Sequence, residues 1–430
     1  MSNPVIDRFL HFLDASPSPF HAVQATVSVL AENGFVAVDE SAAPRPLKAG
    51  QRAYIQRGGS IIAFVVGAGI VSESGFHIVA AHTDSPNLRV KPQPLIRTHG
   101  YVRLGVEVYG GVTVATWSDR DLGMAGALTV RDGTSTRQVL VDVRKPVCRV
   151  PNLAIHLNRT VNDVGLKLNK QTDLPVLFAM DDPEVADPLR SFLAVEAGIE
   201  ADDILTWDLS LFDLTPATVA GANDDFVFSA RLDNLACCHA GLEGFVAALA
   251  DKPPAHTSVL ALFDHEEIGS HTNRGANSSY IETVLANIAE NSDNAGKGGL
   301  SRALTHSTLI SADMAHAVHP AFADKHDAQH MPNINGGPVI KQNVNYRYTT
   351  EGESAADFVL LCEAVDVKYQ WFVSRSDLAC GSTVGPMLAS RLGVKAVDVG
   401  NPMLSMHSAR EMCGTADHPA LAKVFAAFYR

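Results

Sequence analysis

The chain has 430 residues, and its 46% hydrophobic and 19% charged residues give the balance of a soluble globular protein with a full core, long enough for two domains. The net charge of −13, without any Lys/Arg cluster, argues against nucleic-acid binding. An acidic surface also repels acidic ligands at long range, so an acidic substrate would need a local cation.

The first twenty residues carry Asp7 and Asp14 and no basic start before an apolar core, so they do not read as a signal peptide. No run has the length of a membrane span, and no membrane partner is expected. Val5, Phe9, Leu10, Phe12 and Leu13 recur at helical spacing until SPSP interrupts them, and a second helix is predicted from Phe20 to about Asn33. AYIQRGGSIIAFVVG (53–67) reads as a hairpin turning at Gly58-Gly59, and GFHIVAAHTDS (75–85) as an apolar strand that stops in His82, Thr83 and Asp84. From about Pro94 to Asp225 short alternating segments such as VRLGVEVYGG, GALTVRDG and RQVLVDVR predict a β-rich domain inserted into the first, with a helical stretch from Asp187 to Ile204. Residues 1–93 and 226–430 would then form one discontinuous domain.

Beyond Asp225 helix and strand alternate. Helices are predicted at 232–250, 278–291, 354–365 and 418–430, and strands at 258–263, 306–313 and 394–400. The fold class is therefore α/β, a mostly parallel sheet covered by helices. The GKGG run at 296–299 lacks the remaining residues of a phosphate loop and follows a helix. The six cysteines, Cys148, Cys237, Cys238, Cys362, Cys380 and Cys413, contain no CxxC pair and read as reduced, buried thiols of a cytoplasmic protein.

Ionisable residues cluster where strands stop. One strand ends in His82 and Asp84, another in Glu266 and Glu267, and a third in Asp313 with His316 and His319 behind it. The last leads to His407, and Asp233 opens the helix after the insert. Ligands of open α/β sheets bind beyond the carboxyl ends of strands, so these loops should converge. Taken singly, a strand-end Asp or His is more often a helix cap or a satisfied loop residue. Together, two histidines and several carboxylates suit a metal, zinc best, with cobalt or manganese as alternatives. HEEIG is not HExxH, because Gly269 stands where the second histidine would be. Asp417-His418 reads as a helix N-terminus.

AHTDSPNLRVKP (81–92), TWSDRDLGMAG (116–126), PNLAIHLNR (151–159), SARLDNL (229–235), DHEEIGS (264–270), SADMAHAVHP (311–320), GPVIK (337–341) and SMHSAREM (405–412) resemble the aspartyl aminopeptidases over nearly the whole chain. No motif position departs from the family pattern in a way that disables catalysis. The resemblance implies two zinc ions per subunit. His82 and Asp313 would hold one, Glu267 and His407 the other, and Asp233 would bridge them. Asp84 would accept a hydrogen bond from the His82 imidazole and fix its tautomer.

The implied reaction is removal of an N-terminal acidic residue, Asp and also Glu, from a peptide, with Glu266 as general base. Lys341 would meet the substrate's side-chain carboxylate, although alone it would read as an ordinary surface lysine. His316 would donate to the carbonyl oxygen or the developing oxyanion, and Tyr348 would close the pocket. His156, in the insert, would reach a neighbouring subunit's site. The insert would then be a dimerisation domain of a homo-oligomer, a dodecamer built from dimers. Another two-zinc hydrolase on the same scaffold, a deacylase or an aminopeptidase of other specificity, is the alternative. Asp264 and His265 carry no assigned chemistry.

Overall fold

A computed structural model describes residues 3–42, 45–249, 252–292 and 298–430. Residue 250 and the first two residues of GKGG lie outside this set. The largest sheet has nine strands, in the order Val36–Ala37, Arg52–Arg57, Ser60–Val65, Thr257–Phe263, Phe76–His82, Thr308–Ala312, Lys395–Gly400, Val339–Gln342 and Gln370–Val373. Five of its eight neighbour pairings are parallel. The predicted hairpin turns at Gly58-Gly59 as expected.

The central strands are apolar throughout because both faces are covered. Successive side chains point to opposite faces, so Val79, Ala81, Leu260 and Leu262 enter one core while Ile78, Ala80, Val259 and Ala261 enter another. Helices Pro4–Ala15, Pro19–Glu32, Leu232–Ala247, Gly352–Ala364 and Asp417–Phe428 contribute to the first core. Helices Tyr280–Asn291, Gly299–Thr305 and Val384–Leu392 contribute to the second.

A six-stranded sheet runs in the order Ser135–Cys148, Leu122–Asp132, Ile204–Asp213, Asn87–Thr98, Tyr101–Tyr109 and Val176–Met180, antiparallel throughout. It has a core of its own, built around Leu104, Leu128, Val141 and Leu193. Helix Pro188–Ala197, which supplies Leu193, is shorter than its sequence suggested: Gly198 takes the left-handed conformation (φ 65°, ψ 41°) that ends it.

The sequence did not suggest a third sheet. It has five short strands: Thr218–Ala220, Phe226–Ser229, Glu411–Gly414, Pro402–Leu404 and Ala315–His316. Two of them, Pro402–Leu404 and Glu411–Gly414, pair antiparallel and bracket the loop that carries His407. No helix among the described residues is long and apolar enough to cross a membrane.

Candidate metal centre

His82 is the last residue of its strand, Asp313 follows the end of the neighbouring strand Thr308–Ala312, and Glu266 and Glu267 form a short 3-10 turn just past strand Thr257–Phe263. His82 Nε2 lies 3.5 Å from Asp233 Oδ1, 3.6 Å from Asp313 Oδ1 and 3.9 Å from Glu266 Oε2. On the other side, His407 Nε2 lies 3.2 Å from Asp233 Oδ2 and 3.5 Å from Glu267 Oε1. Each oxygen of Asp233 thus faces a different histidine. One atom from each of His82, Asp233 and Glu267 falls within 4.8 Å of the others, which is compatible with a shared cation.

The electrostatics point the same way. Asp233 Oδ1 and Glu267 Oε1 are buried without a hydrogen-bond partner, an arrangement that needs a compensating cation. Burial alone would lower the His82 pKa, yet the carboxylates of Asp233, Asp313 and Asp84 outweigh it and hold the imidazole well above its ordinary value. Burial also pushes the Glu266 carboxyl up to about 8, against the pull of His82 and helped by repulsion from Asp313. The donor set, imidazole nitrogens and carboxylate oxygens, fits zinc.

The supports of this cluster are backbone contacts. His82 Nδ1 donates to the backbone carbonyl of Asp84 at 3.0 Å, with Asp84 Oδ1 3.4 Å away, which leaves Nε2 facing the carboxylates. The Asp84 carboxylate accepts the N–H groups of Glu266 (3.0 Å) and Glu267 (3.1 Å), so it shapes the turn that presents both glutamates. His407 sits in the left-handed region (φ 67°), an unfavourable conformation for a histidine, and its surroundings must hold it there. Glu411 does so: its two oxygens accept the N–H groups of His407 (2.7 Å) and Asp233 (3.0 Å).

Lys341 is 2% exposed, not an ordinary surface lysine. Its ammonium donates to Met314 O at 3.2 Å, stands 3.7 Å from Asp313 Oδ2 and lies 5.1 Å from the centre of the Tyr348 ring. His316 and Tyr348 line an adjoining recess of about 330 Å³ with Phe372 and Met403. His156 stands on an exposed 3-10 turn, Ile155–Leu157, of the insert. Asp264 is buried 3.1 Å from Arg274, and His265 bonds Thr272 at 2.8 Å, so both brace the loop. Asp417 opens the last helix and accepts the N–H groups of Asn335 and Gly337.

Sequence reasoning assigned nothing to Tyr109, whose hydroxyl donates to Asp84 Oδ2 at 2.6 Å, or to Glu411. Glu411 falls inside SMHSAREM (405–412), four residues beyond His407, and that position was its visible signal.

The profile of the family described as Aminopeptidase I zinc metalloprotease (M18) matches residues 12–429. The chain belongs to the M18 family. Among M18 relatives, the "Probable M18 family aminopeptidase 2" of Stutzerimonas stutzeri is 47% identical over 100% of this chain and 99% of its own length. The Pseudomonas aeruginosa protein of the same description is 47% identical over 98% of this chain and 96% of its own. Among solved structures, the chain is similar to one from the complex of Ape4 with Nbr1 (36% identity, TM-score 0.94, 99% of this chain and 85% of that one). It is also similar to mApe1 of S. cerevisiae, described as a dodecamer (28% identity, TM-score 0.86, 99% and 96% covered). This M18 chain is accordingly a zinc metallo-aminopeptidase with the α/β fold of its relatives.

Proposed function

We propose that this M18 aminopeptidase removes N-terminal acidic residues, Asp and also Glu, from peptides at a two-zinc centre. The observation that carries the reading is Lys341, a buried cation held beside Asp313 at the edge of the cluster. His82 and Asp313 would hold one ion, Glu267 and His407 the other, and Asp233 both. Zinc, when bound, supplies an acidified water, a polarised carbonyl and an anchor for the substrate's free amino group.

The chain's own residues supply the rest. Glu266, outside the ligand set, takes the proton of the attacking water and returns one to the leaving amine. His316 donates to the carbonyl oxygen of the scissile bond. Lys341 pairs with the carboxylate of the first side chain, locally reversing a surface whose net charge of −13 repels such a substrate. Tyr348, packed against Lys341, closes that pocket.

An inserted dimerisation domain, residues 94–225, is read as carrying the six-stranded sheet apart from the start of its strand Asn87–Thr98, in a homo-oligomer, a dodecamer built from dimers. Leu153, Ile155 and Leu157 around His156 are 59%, 47% and 75% exposed, an apolar surface suited to burial against a second copy. His156 would then complete a neighbour's site. The five buried free thiols fit a reducing cytoplasm.

Aspartyl, glutamyl, leucyl and acyl-amino-acid substrates assayed side by side test the specificity. Fastest turnover is expected on the aspartyl substrate. A faster leucyl or acyl reaction would replace this reading with another zinc hydrolase activity on the same scaffold. In the same assay His156→Ala should slow turnover without changing zinc content, and an unaltered rate would remove the shared site.

A further inference from the structure

Strand Tyr101–Tyr109 of the six-stranded sheet ends against the metal centre, and the five residues Tyr109–Thr113 touch the supports of its ligands repeatedly. The Tyr109 hydroxyl donates to Asp84 Oδ2, the same oxygen that accepts the Glu267 N–H. The Arg89 guanidinium, 3.7 Å from the ring centre, holds the ring from its face. Gly110, with φ 71°, brings its backbone so close to Glu267 that a Cβ there would stand 3.1 Å from Glu267 Cβ. Gly111 O accepts the Nδ1–H of His407 at 3.1 Å, which aims Nε2 at Asp233 and Glu267. Thr113 N–H donates to the His407 carbonyl at 2.9 Å.

Glu267 and His407 are therefore held from the six-stranded sheet as well as from the two different sheets that carry them. Partners that orient a metal ligand matter almost as much as the ligand itself, because they fix its tautomer and its angle. We propose that Tyr109–Thr113 is a clamp that sets the geometry of the Glu267–His407 half of the centre, with Tyr109 as a positioning residue. A shift of the six-stranded sheet would then move ligand supports and change how tightly that half holds its ion. The inference rests on the two-zinc reading.

Two variants of the intact protein test it. Tyr109→Phe deletes the hydroxyl and keeps the ring under Arg89. Gly111 lies outside the left-handed region, so its backbone accepts alanine, but a Cβ there would stand 3.0 Å from His407 Nδ1 and press on the ring. Zinc affinity measured by competition with a chromophoric chelator, and the visible spectrum after cobalt replacement, are read beside circular dichroism and assembled size. The clamp predicts that each variant keeps its fold and one tightly held ion, while the other ion weakens by about 10- to 100-fold and its cobalt band shifts. Unchanged affinities and spectra in both variants would overturn the clamp. A wild-type protein with a single zinc would instead overturn the two-zinc reading. The clamp then stands only if both variants weaken that ion, and falls if they do not.

Discussion

Glu266→Gln lowers turnover by about 10²- to 10⁴-fold, the range supplied by a positioned general base, and leaves bound zinc and assembly intact. The substitution keeps the shape of the side chain and removes its ability to take a proton. The geometry sets Glu266 apart from its neighbour. Glu267 Oε1 is buried without a partner near His407, as a ligand's oxygen should be, whereas the Glu266 side chain keeps 14% of its surface open at the cleft. Its carboxyl is also tuned from both sides, raised by burial and by Asp313 and lowered by positive charge. Full activity in the variant would take Glu266 out of the base role. Loss of zinc along with activity would make it a ligand.

Asp233→Asn has the largest expected effect on the metal. Its two oxygens face His82 and His407 separately, so the residue belongs to both halves of the cluster. Asparagine offers one acceptor oxygen and turns an NH2 group toward the other half. The variant also removes a negative charge from a site whose partnerless oxygens call for a cation. Affinity for at least one ion should fall by more than the about 10- to 100-fold that losing a supporting partner costs, and turnover should vanish with it. Titration with zinc measures this directly, and a variant that holds both ions as tightly as wild type would show that Asp233 does not bridge.

The strand ends were legible because several apolar runs such as SVLALF stop abruptly in ionisable residues, and their combination, rather than any one of them, pointed to a shared site. The alternation of these runs with helical segments carried the α/β class, and Gly58-Gly59 marked its hairpin. The third sheet was not legible, because strands of two to four residues carry no periodic signal. Strand Val339–Gln342, which buries Lys341, is equally short, so the residues alone could not separate a buried lysine from a surface one. Tyr109 and Glu411 were missed for another reason. Tyr109 bonds Asp84 and Glu411 bonds the N–H of Asp233 across separate elements, contacts that only the folded chain creates. The left-handed backbone of His407, which is not a glycine, is likewise set by its surroundings rather than by residue type.

The central claim is that a two-zinc centre hydrolyses peptides with an acidic first residue. It is tested most directly by counting zinc per chain and timing aspartyl-peptide hydrolysis on one preparation before chelation, after it, and after zinc is restored. The account predicts two zinc ions per chain, loss of hydrolysis on chelation and its return with zinc. Undiminished hydrolysis by the zinc-free chain would contradict it.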